Sequence, residues 1–259
     1  MARIVRYLHR GEPAYGLIEG ETVYALRGDP FGSWERGEAI GPAGDVRLLA
    51  PVQPTKLVCV GRNYAAHAAE HGASVPSEPL LFLKPPSAVI GPGDPIVLPA
   101  GSQQVEHEAE LALVIGRRCR NVSPEGAWDY LLGVTCANDV TARDWQRQDD
   151  QWTRAKGFDT SAPLGPWIVT GLTPAEVGAL EVVCRVNGQE RQRGNTGEMV
   201  FGPAFLISYI SRFMTLEPGD VVLTGTPAGV GPLQPGDQVE VEIEGIGRLR
   251  NPVQAMGEG

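Results

Sequence analysis

The tripeptide Pro-Gly-Asp occurs three times, at residues 92–94, 218–220 and 235–237, each time just before a β-branched run. Proline presets φ and glycine reaches positive φ without steric cost, so each copy reads as a turn that feeds a strand. The chain carries 33 glycines and 22 prolines in 259 residues without a collagen-like period, which multiplies such turns between short elements. A β-rich architecture follows. The last of these strands alternates, with Val239, Val241 and Ile243 on one face and Glu240, Glu242 and Glu244 on the other, as a half-exposed strand requires. Asn187-Gly188 signals a hairpin after the apolar run 182–186. Helices are few. Ser123-Pro124-Glu125 reads as a cap and first turn leading to Leu132, and residues 203–213 place Phe205, Leu206, Tyr209, Ile210 and Phe213 at helical spacing, a face expected to be core. The reading is thus mostly β with a few helices, an α+β class.

Residues 3–8 and 22–26 read as strands around a turn region at 16–20, followed by a glycine-rich irregular stretch through Gly44. Pro51 and Pro54 bracket a junction, and the apolar run 57–60 suits a buried strand. This divides the chain into a small N-terminal β module, 1–50, and a larger domain, 51–259. A net charge of −9 and a pI near 5.0 argue against a nucleic-acid partner, which needs clustered Lys and Arg. They do not exclude an anionic small substrate, because a few cations in a cleft override the net charge locally. Cys59, Cys119, Cys136 and Cys184 form no C-x-x-C pair and read as buried free thiols. The first ten residues lack an apolar signal region, and no apolar run approaches the length of a bilayer span. A cytoplasmic protein with no membrane partner is expected.

The segment 105–115, Val-Glu-His-Glu-Ala-Glu-Leu-Ala-Leu-Val-Ile, concentrates the chemistry. In a strand Glu106, Glu108 and Glu110 project to one face, an arrangement whose repulsion calls for a cation or for solvent. A metal site and an exposed acidic edge both satisfy it. Asp139 closes the largely apolar run 132–138 and is followed by Thr141, Arg143 and Asp144, which suits a carboxylate pointing into a cleft. Carboxylates without a neighbouring Cys or His favour a hard ion, Mg²⁺ or Mn²⁺ before Ca²⁺. His107 faces away by alternation. Residues 61–72 read as a short alanine-rich helix capped by Asn63 and stopped by Gly72, with His67 and Glu70 at i and i+3, where a carboxylate orients an imidazole as a general base. A solvated polar face gives the same pattern. His71 is placed on the surface. Lys156 and the loop 223–229, with Gly225 and Thr226, add a cation and amides that suit a carboxylate as well as a plain turn.

In this order, GRNYAAHAAE, LFLKPP, HEAELALVIG, ANDVTARDWQ, RAKGFDTSAPLGP and GDVVLTGTPAGVG resemble the fumarylacetoacetate hydrolase superfamily over residues 57–250. The resemblance implies a mixed β-roll or β-sandwich-like catalytic domain, assembled as a homodimer. It implies Glu108, Glu110 and Asp139 as metal ligands, and His67 with Glu70 as the dyad that moves a proton or activates water. It further implies Lys156, Arg143 and Gln146 as substrate contacts, with Gly225 and Thr226 at the substrate's carboxylate end. The run QWTRAKGFDTSAPLGP is most similar to 2-hydroxyhepta-2,4-diene-1,7-dioate isomerases and associated decarboxylases of aromatic breakdown. Acylpyruvate hydrolase and oxaloacetate decarboxylase are the alternatives within the family, and a non-catalytic metal- or metabolite-binding protein is the alternative outside it. Every enzymatic reading takes a small carboxylic acid.

Overall fold

The run 109–115 is apolar on both faces, apart from Glu110, and so asks for burial on both sides. In the computed structural model, which describes residues 1–257, the strand Ala109–Ile115 sits inside a 12-stranded sheet, between Leu131–Asn138 and Val221–Leu223. Leu111, Leu113 and Ile115 face a core shared with Val182, Val241 and Ile243 of a second sheet, whereas Ala112 and Val114 face a core shared with Ile4 and Leu17. Each such Leu, Ile or Val contributes roughly 1.5–3 kcal/mol by leaving water.

The large sheet runs from Trp34–Pro42 through Thr22–Gly28, Glu12–Glu19 and Arg3–His9 to Ala162–Thr170 and Leu131–Asn138. It continues through Ala109–Ile115, Val221–Leu223 and Leu57–Gly61 to an edge at Leu80–Lys84. The pairing of Val221–Leu223 with Leu57–Gly61 is parallel, and that of Ala109–Ile115 with both its neighbours is antiparallel. A five-stranded sheet contains Gln189–Asn195, Glu181–Val186, Gln238–Ile243, Gly247–Ala255 and Ile96–Leu98. A small third sheet joins Val105–His107 to Thr141–Ala142 and Gly231–Pro232. The α-helices are short, so the fold is mostly β with a few helices, as the turn pattern implies. No helix among the described residues is long and apolar enough to cross a membrane.

The three Pro-Gly-Asp turns precede strands at Ile96–Leu98, Val221–Leu223 and Gln238–Ile243, with Gly93, Gly219 and Gly236 at positive φ. Asn187 and Gly188, also at positive φ, turn Glu181–Val186 into Gln189–Asn195. All four cysteines are free and buried.

Several elements differ from expectation. Gly16 lies inside the strand Glu12–Glu19, and the stretch through Gly44 holds the strand Trp34–Pro42, because pairing with Thr22–Gly28 overrides its glycine content. After Pro124 only a 3-10 turn, Ala127–Tyr130, forms before the strand Leu131–Asn138 takes over. The helix Pro203–Ser211 buries Leu206 and Ile210, but Phe205 and Phe213 stay exposed in a surface row with Phe201 and Tyr209.

Asp220 holds the entry to the parallel pair. Its fully buried carboxylate accepts from the Thr55 amide at 3.0 Å, Thr55 Oγ1 at 2.7 Å, the Lys56 amide at 3.1 Å and the Glu217 amide at 2.8 Å, and pairs with Lys56 Nζ. Asp220→Ala strands these donors and is predicted to lower the unfolding free energy by about 3 kcal/mol. Asp220→Asn, which keeps one acceptor oxygen, should lose less. Urea unfolding curves of the two variants measure the difference, and wild-type stability in both would refute the anchoring role.

Candidate active site

Three buried carboxylates come together where the large sheet meets the small one. Strand pairing is interrupted at Glu108, between Val105–His107 and Ala109–Ile115, so the acidic segment is two strands rather than one. Glu108 and Asp139 are locked through the main chain: the Asp139 amide donates to the Glu108 carbonyl at 2.9 Å, and the Glu108 amide donates to Asn138 Oδ1 at 2.9 Å. Oxygens of Glu108, Glu110 and Asp139 all lie within 4.8 Å of one another. Glu106 turns aside to accept from Arg143 Nε at 2.8 Å and from Gln104.

The cations that meet this charge come from the chain itself. Lys156 Nζ donates to Glu108 Oε2 at 2.9 Å and to Asp139 Oδ2 at 2.7 Å. Arg143 donates to Glu108 Oε1 and to Gln146 Oε1, each at 2.6 Å. Lys84, at the end of the edge strand, is 1% exposed, donates to the carbonyls of Val140, Lys156 and Ser161, and lies 2.8 Å from Asp139 Oδ1. That contact makes Lys84 the ion-pair partner of Asp139 Oδ1, as Lys156 is of Asp139 Oδ2.

Electrostatics divides the carboxylates. Burial works against the charge of Glu108, but Lys156 and Arg143 outweigh it and hold Glu108 well below the usual carboxylate range. Burial, then Asp139 and Glu108, push Glu110 well above that range; among the described residues its one hydrogen bond is from the Gly225 amide at 2.7 Å. Burial also opposes the Lys156 charge, yet Asp139 and Glu108 raise it above its ordinary value, so it stays an ammonium. Glu106, Glu108 and Asp139 thus share Lys84, Lys156 and Arg143, and Glu110, buried beside them, is paired with none of these cations. An all-oxygen donor set in which the Glu110 carboxyl has no cationic side chain paired with it fits a hard divalent ion on Glu108, Glu110 and Asp139.

A cavity of about 250 Å³ opens onto this cluster. Arg143, Gln146, Lys156, Thr226 and His67 line it. His67 sits on the short helix Ala65–Glu70, 7% exposed, with Nδ1 3.4 Å from Glu70 Oε2. The Gly229 amide donates to both Glu70 oxygens and holds that carboxylate in place. The helix is capped at Tyr64 without a side-chain bond. Asn63 instead donates to the carbonyls of Thr224 and Phe201 and accepts from the Phe201 amide, tying the helix entry to the loop after Leu223.

Gly225 and His71 take specific places around the cavity. Gly225 is not among the cavity's lining residues, and its amide is committed to Glu110; only Thr226 of that pair reaches the cavity, its hydroxyl donating to the Ala109 carbonyl. His71 is exposed, as expected, and also lines the cavity, its ring edge-on to His67 at 4.8 Å. Burial, then Arg143 and His67, lower its pKa and favour the neutral form.

Other residues of the site were not picked out in the sequence. Lys84 had a signal, since a lone lysine ending the apolar strand of LFLKPP must find partners once buried. Gln192 had none. From the five-stranded sheet its Oε1 accepts from the Ala109 amide at 3.0 Å and meets His107 Nδ1 at 2.9 Å, while its Nε2 donates to Thr226 Oγ1 and the Pro227 carbonyl. It thereby fixes the residue between Glu108 and Glu110. Arg62 and Arg147 also line the cavity and are exposed, which leaves two cations facing solvent near its polar interior.

Comparison with known proteins bears on this arrangement. The fumarylacetoacetate (FAA) hydrolase C-terminal family matches residues 56–254, and the Rv2993c-like N-terminal family matches residues 2–51. The chain is 48% identical to protein Rv2993c of Mycobacterium tuberculosis over 99% of both chains. It is 48% identical to the mitochondrial oxaloacetate tautomerase FAHD2A of Bos taurus over 96% of this chain and 79% of that one. The solved structure of a 2-hydroxyhepta-2,4-diene-1,7-dioate isomerase from Mycobacterium marinum is 46% identical, with a TM-score of 0.91 and full coverage of both chains. The chain belongs to the fumarylacetoacetate hydrolase family, as its six ordered motifs imply.

Proposed function

We propose that the chain is a divalent-metal-dependent isomerase of a small 2-oxo or 2-hydroxy-dienoic dicarboxylic acid, relocating a proton between carbon and the enol oxygen. The observation that carries this reading is the meeting, in one cavity, of the Glu108–Glu110–Asp139 cluster with a histidine oriented by Glu70. The bovine and M. marinum relatives are named as a tautomerase and an isomerase, and both names describe rearrangement within one molecule. That shared feature favours proton relocation over bond cleavage.

Glu108, Glu110 and Asp139 would hold Mg²⁺ or Mn²⁺, which when bound supplies Lewis acidity to the 2-oxo oxygen of an acid and offsets the charge of the cluster. Lys156, held cationic by Asp139 and Glu108, adds a positive contact for a developing enolate rather than acting as a base. Arg143 keeps Gln146 in position while it pairs with Glu106 and Glu108, so Gln146 meets the substrate from a fixed support. Arg62 and Arg147 suit a second carboxylate. With Nδ1 turned to Glu70, His67 presents Nε2 to take a proton from carbon and deliver it to the enolate oxygen, or to carry it the other way. Decarboxylation of the same acid, and hydrolysis of an acylpyruvate with His67 activating water, use the same groups and are the alternatives to be distinguished.

Three outcomes are predicted. Mn²⁺ binds the wild-type chain, and Asp139→Asn weakens it at least about tenfold while also lowering the melting temperature, because Lys84 and Lys156 lose a charged partner. Calorimetric titration measures this; equal Mn²⁺ affinity in both proteins would move the ion elsewhere. His67→Ala lowers kcat by about 10²–10⁴-fold while Mn²⁺ affinity holds. Parallel loss of metal and activity would make His67 a ligand or a structural residue. In a panel of oxaloacetate, acylpyruvates and 2-hydroxy-dienedioates with Mg²⁺ or Mn²⁺, enol decay followed by ultraviolet absorbance should outpace release of CO₂ or pyruvate. Faster CO₂ release selects the decarboxylase, pyruvate release from acylpyruvates selects the hydrolase, and metal binding without any turnover selects the non-catalytic binder.

A further inference from the structure

We infer that Trp152 sets the length of acid the cavity accepts, its indole closing the polar cavity off from an apolar groove next to it. This rests on the 2-oxo acid reading above and adds the size of the substrate to it. Phe82 and Trp152 line two spaces at once. One is the polar cavity of about 250 Å³; the other, of about 560 Å³, is bordered by Leu81, Leu83, Pro85 and Pro86. Their rings meet edge to face at 5.5 Å and 72°, so the partition is a single aromatic pair.

The local sequence explains why the indole lies there. A Cβ at Gly61 would sit 3.1 Å from indole Cζ3, so the ring rests over a backbone kept bare by glycine. The Trp152 carbonyl accepts from the Lys156 amide at 2.9 Å, which seats the tryptophan on the same turn as the buried ammonium. Lys156 Nζ in turn lies 5.0 Å from the Phe82 centroid, a cation–π contact that fixes the second ring from the polar side. The wall is therefore registered to the charged cluster by main chain on one side and by charge on the other.

The volumes give the consequence. A space of about 250 Å³ lies below the usual range of roughly 300–1,000 Å³ for sites that take larger ligands, and suits a compact dicarboxylate. While the indole stands over Gly61, an extended apolar tail can lie only along the polar and charged lining or out in solvent, with no apolar surface to cover it. Trp152→Ala removes the wall but keeps the carbonyl that anchors Lys156. The tail would then enter the groove, with a gain of about fourfold in affinity for each methylene it buries.

The test uses the Mn²⁺-loaded protein and calorimetry with oxalate and with N-alkyl oxamates of increasing chain length, which present a 2-oxo carboxylate but do not react. Wild type should bind oxalate and short oxamates and lose affinity at N-hexyl. Trp152→Ala should bind oxalate within about twofold of wild type and N-hexyl oxamate at least tenfold more tightly than wild type does. Unchanged oxalate affinity with no gain at N-hexyl overturns the wall. Failure of oxalate and all oxamates to bind either protein removes the 2-oxo acid reading itself and the length filter with it. Should Trp152→Ala not fold, Trp152→Leu, which keeps apolar bulk against Phe82, reads the same gain at N-butyl, and its absence there counts equally against the proposal.

Discussion

Buried charge must be met by opposite charge, and most of this site follows from how the chain does so. Glu106, Glu108, Glu110 and Asp139 are packed with Arg143, Lys156 and Lys84 at exposures of 5% or less. An unpaired ion in such a place costs several kcal/mol, so each member holds its position only because its neighbours hold theirs. The β scaffold makes that mutual dependence affordable: Glu110 rides on a strand in mid-sheet, and Asp139 follows the neighbouring strand. Fixed backbone removes most of the entropy that would otherwise oppose so many simultaneous contacts.

The same cluster is imbalanced by design of its residue set. Lys156 and Arg143 settle Glu108, whereas Glu110 has one amide and two like-charged neighbours. A purely structural ion-pair network gains nothing from that remainder. A site that binds a cation and then an anion does, because the remainder is what attracts the first partner and the surrounding lysine and arginines are what receive the second.

Much of this was legible in sequence where spacing alone carries information. The Pro-Gly-Asp turns and the Asn187-Gly188 hairpin are set by backbone chemistry over three or four residues, and they stand as read. His67 and Glu70 are also local, and helical spacing brings them together. Longer-range packing was less visible. Asn63 looks like a helix cap until Thr224 and Phe201 arrive from 138 or more residues away and claim its amide. Gln192 has no pattern around it at all, and its role exists only because the second sheet lays it against Ala109 and Thr226. The aromatic side of Pro203–Ser211 shows the converse: helical periodicity identifies a face but not whether anything covers it.

Val221–Leu223 is three residues long, yet it is the strand through which Leu57–Gly61 is hydrogen-bonded to Ala109–Ile115. On one side of it lies the part of the sheet that leads into the helix of His67; on the other lie the strands of Glu110 and Asp139. As the chain leaves the ribosome, both of those parts are complete before residue 221 exists. Two apolar strand edges must therefore wait unpaired through the synthesis of more than half the remaining chain, a state prone to pairing with the wrong strand. The late strand that ends this exposure also joins the part of the sheet that leads to His67 to the strands that carry Glu110 and Asp139, so an incompletely made chain cannot assemble the cluster.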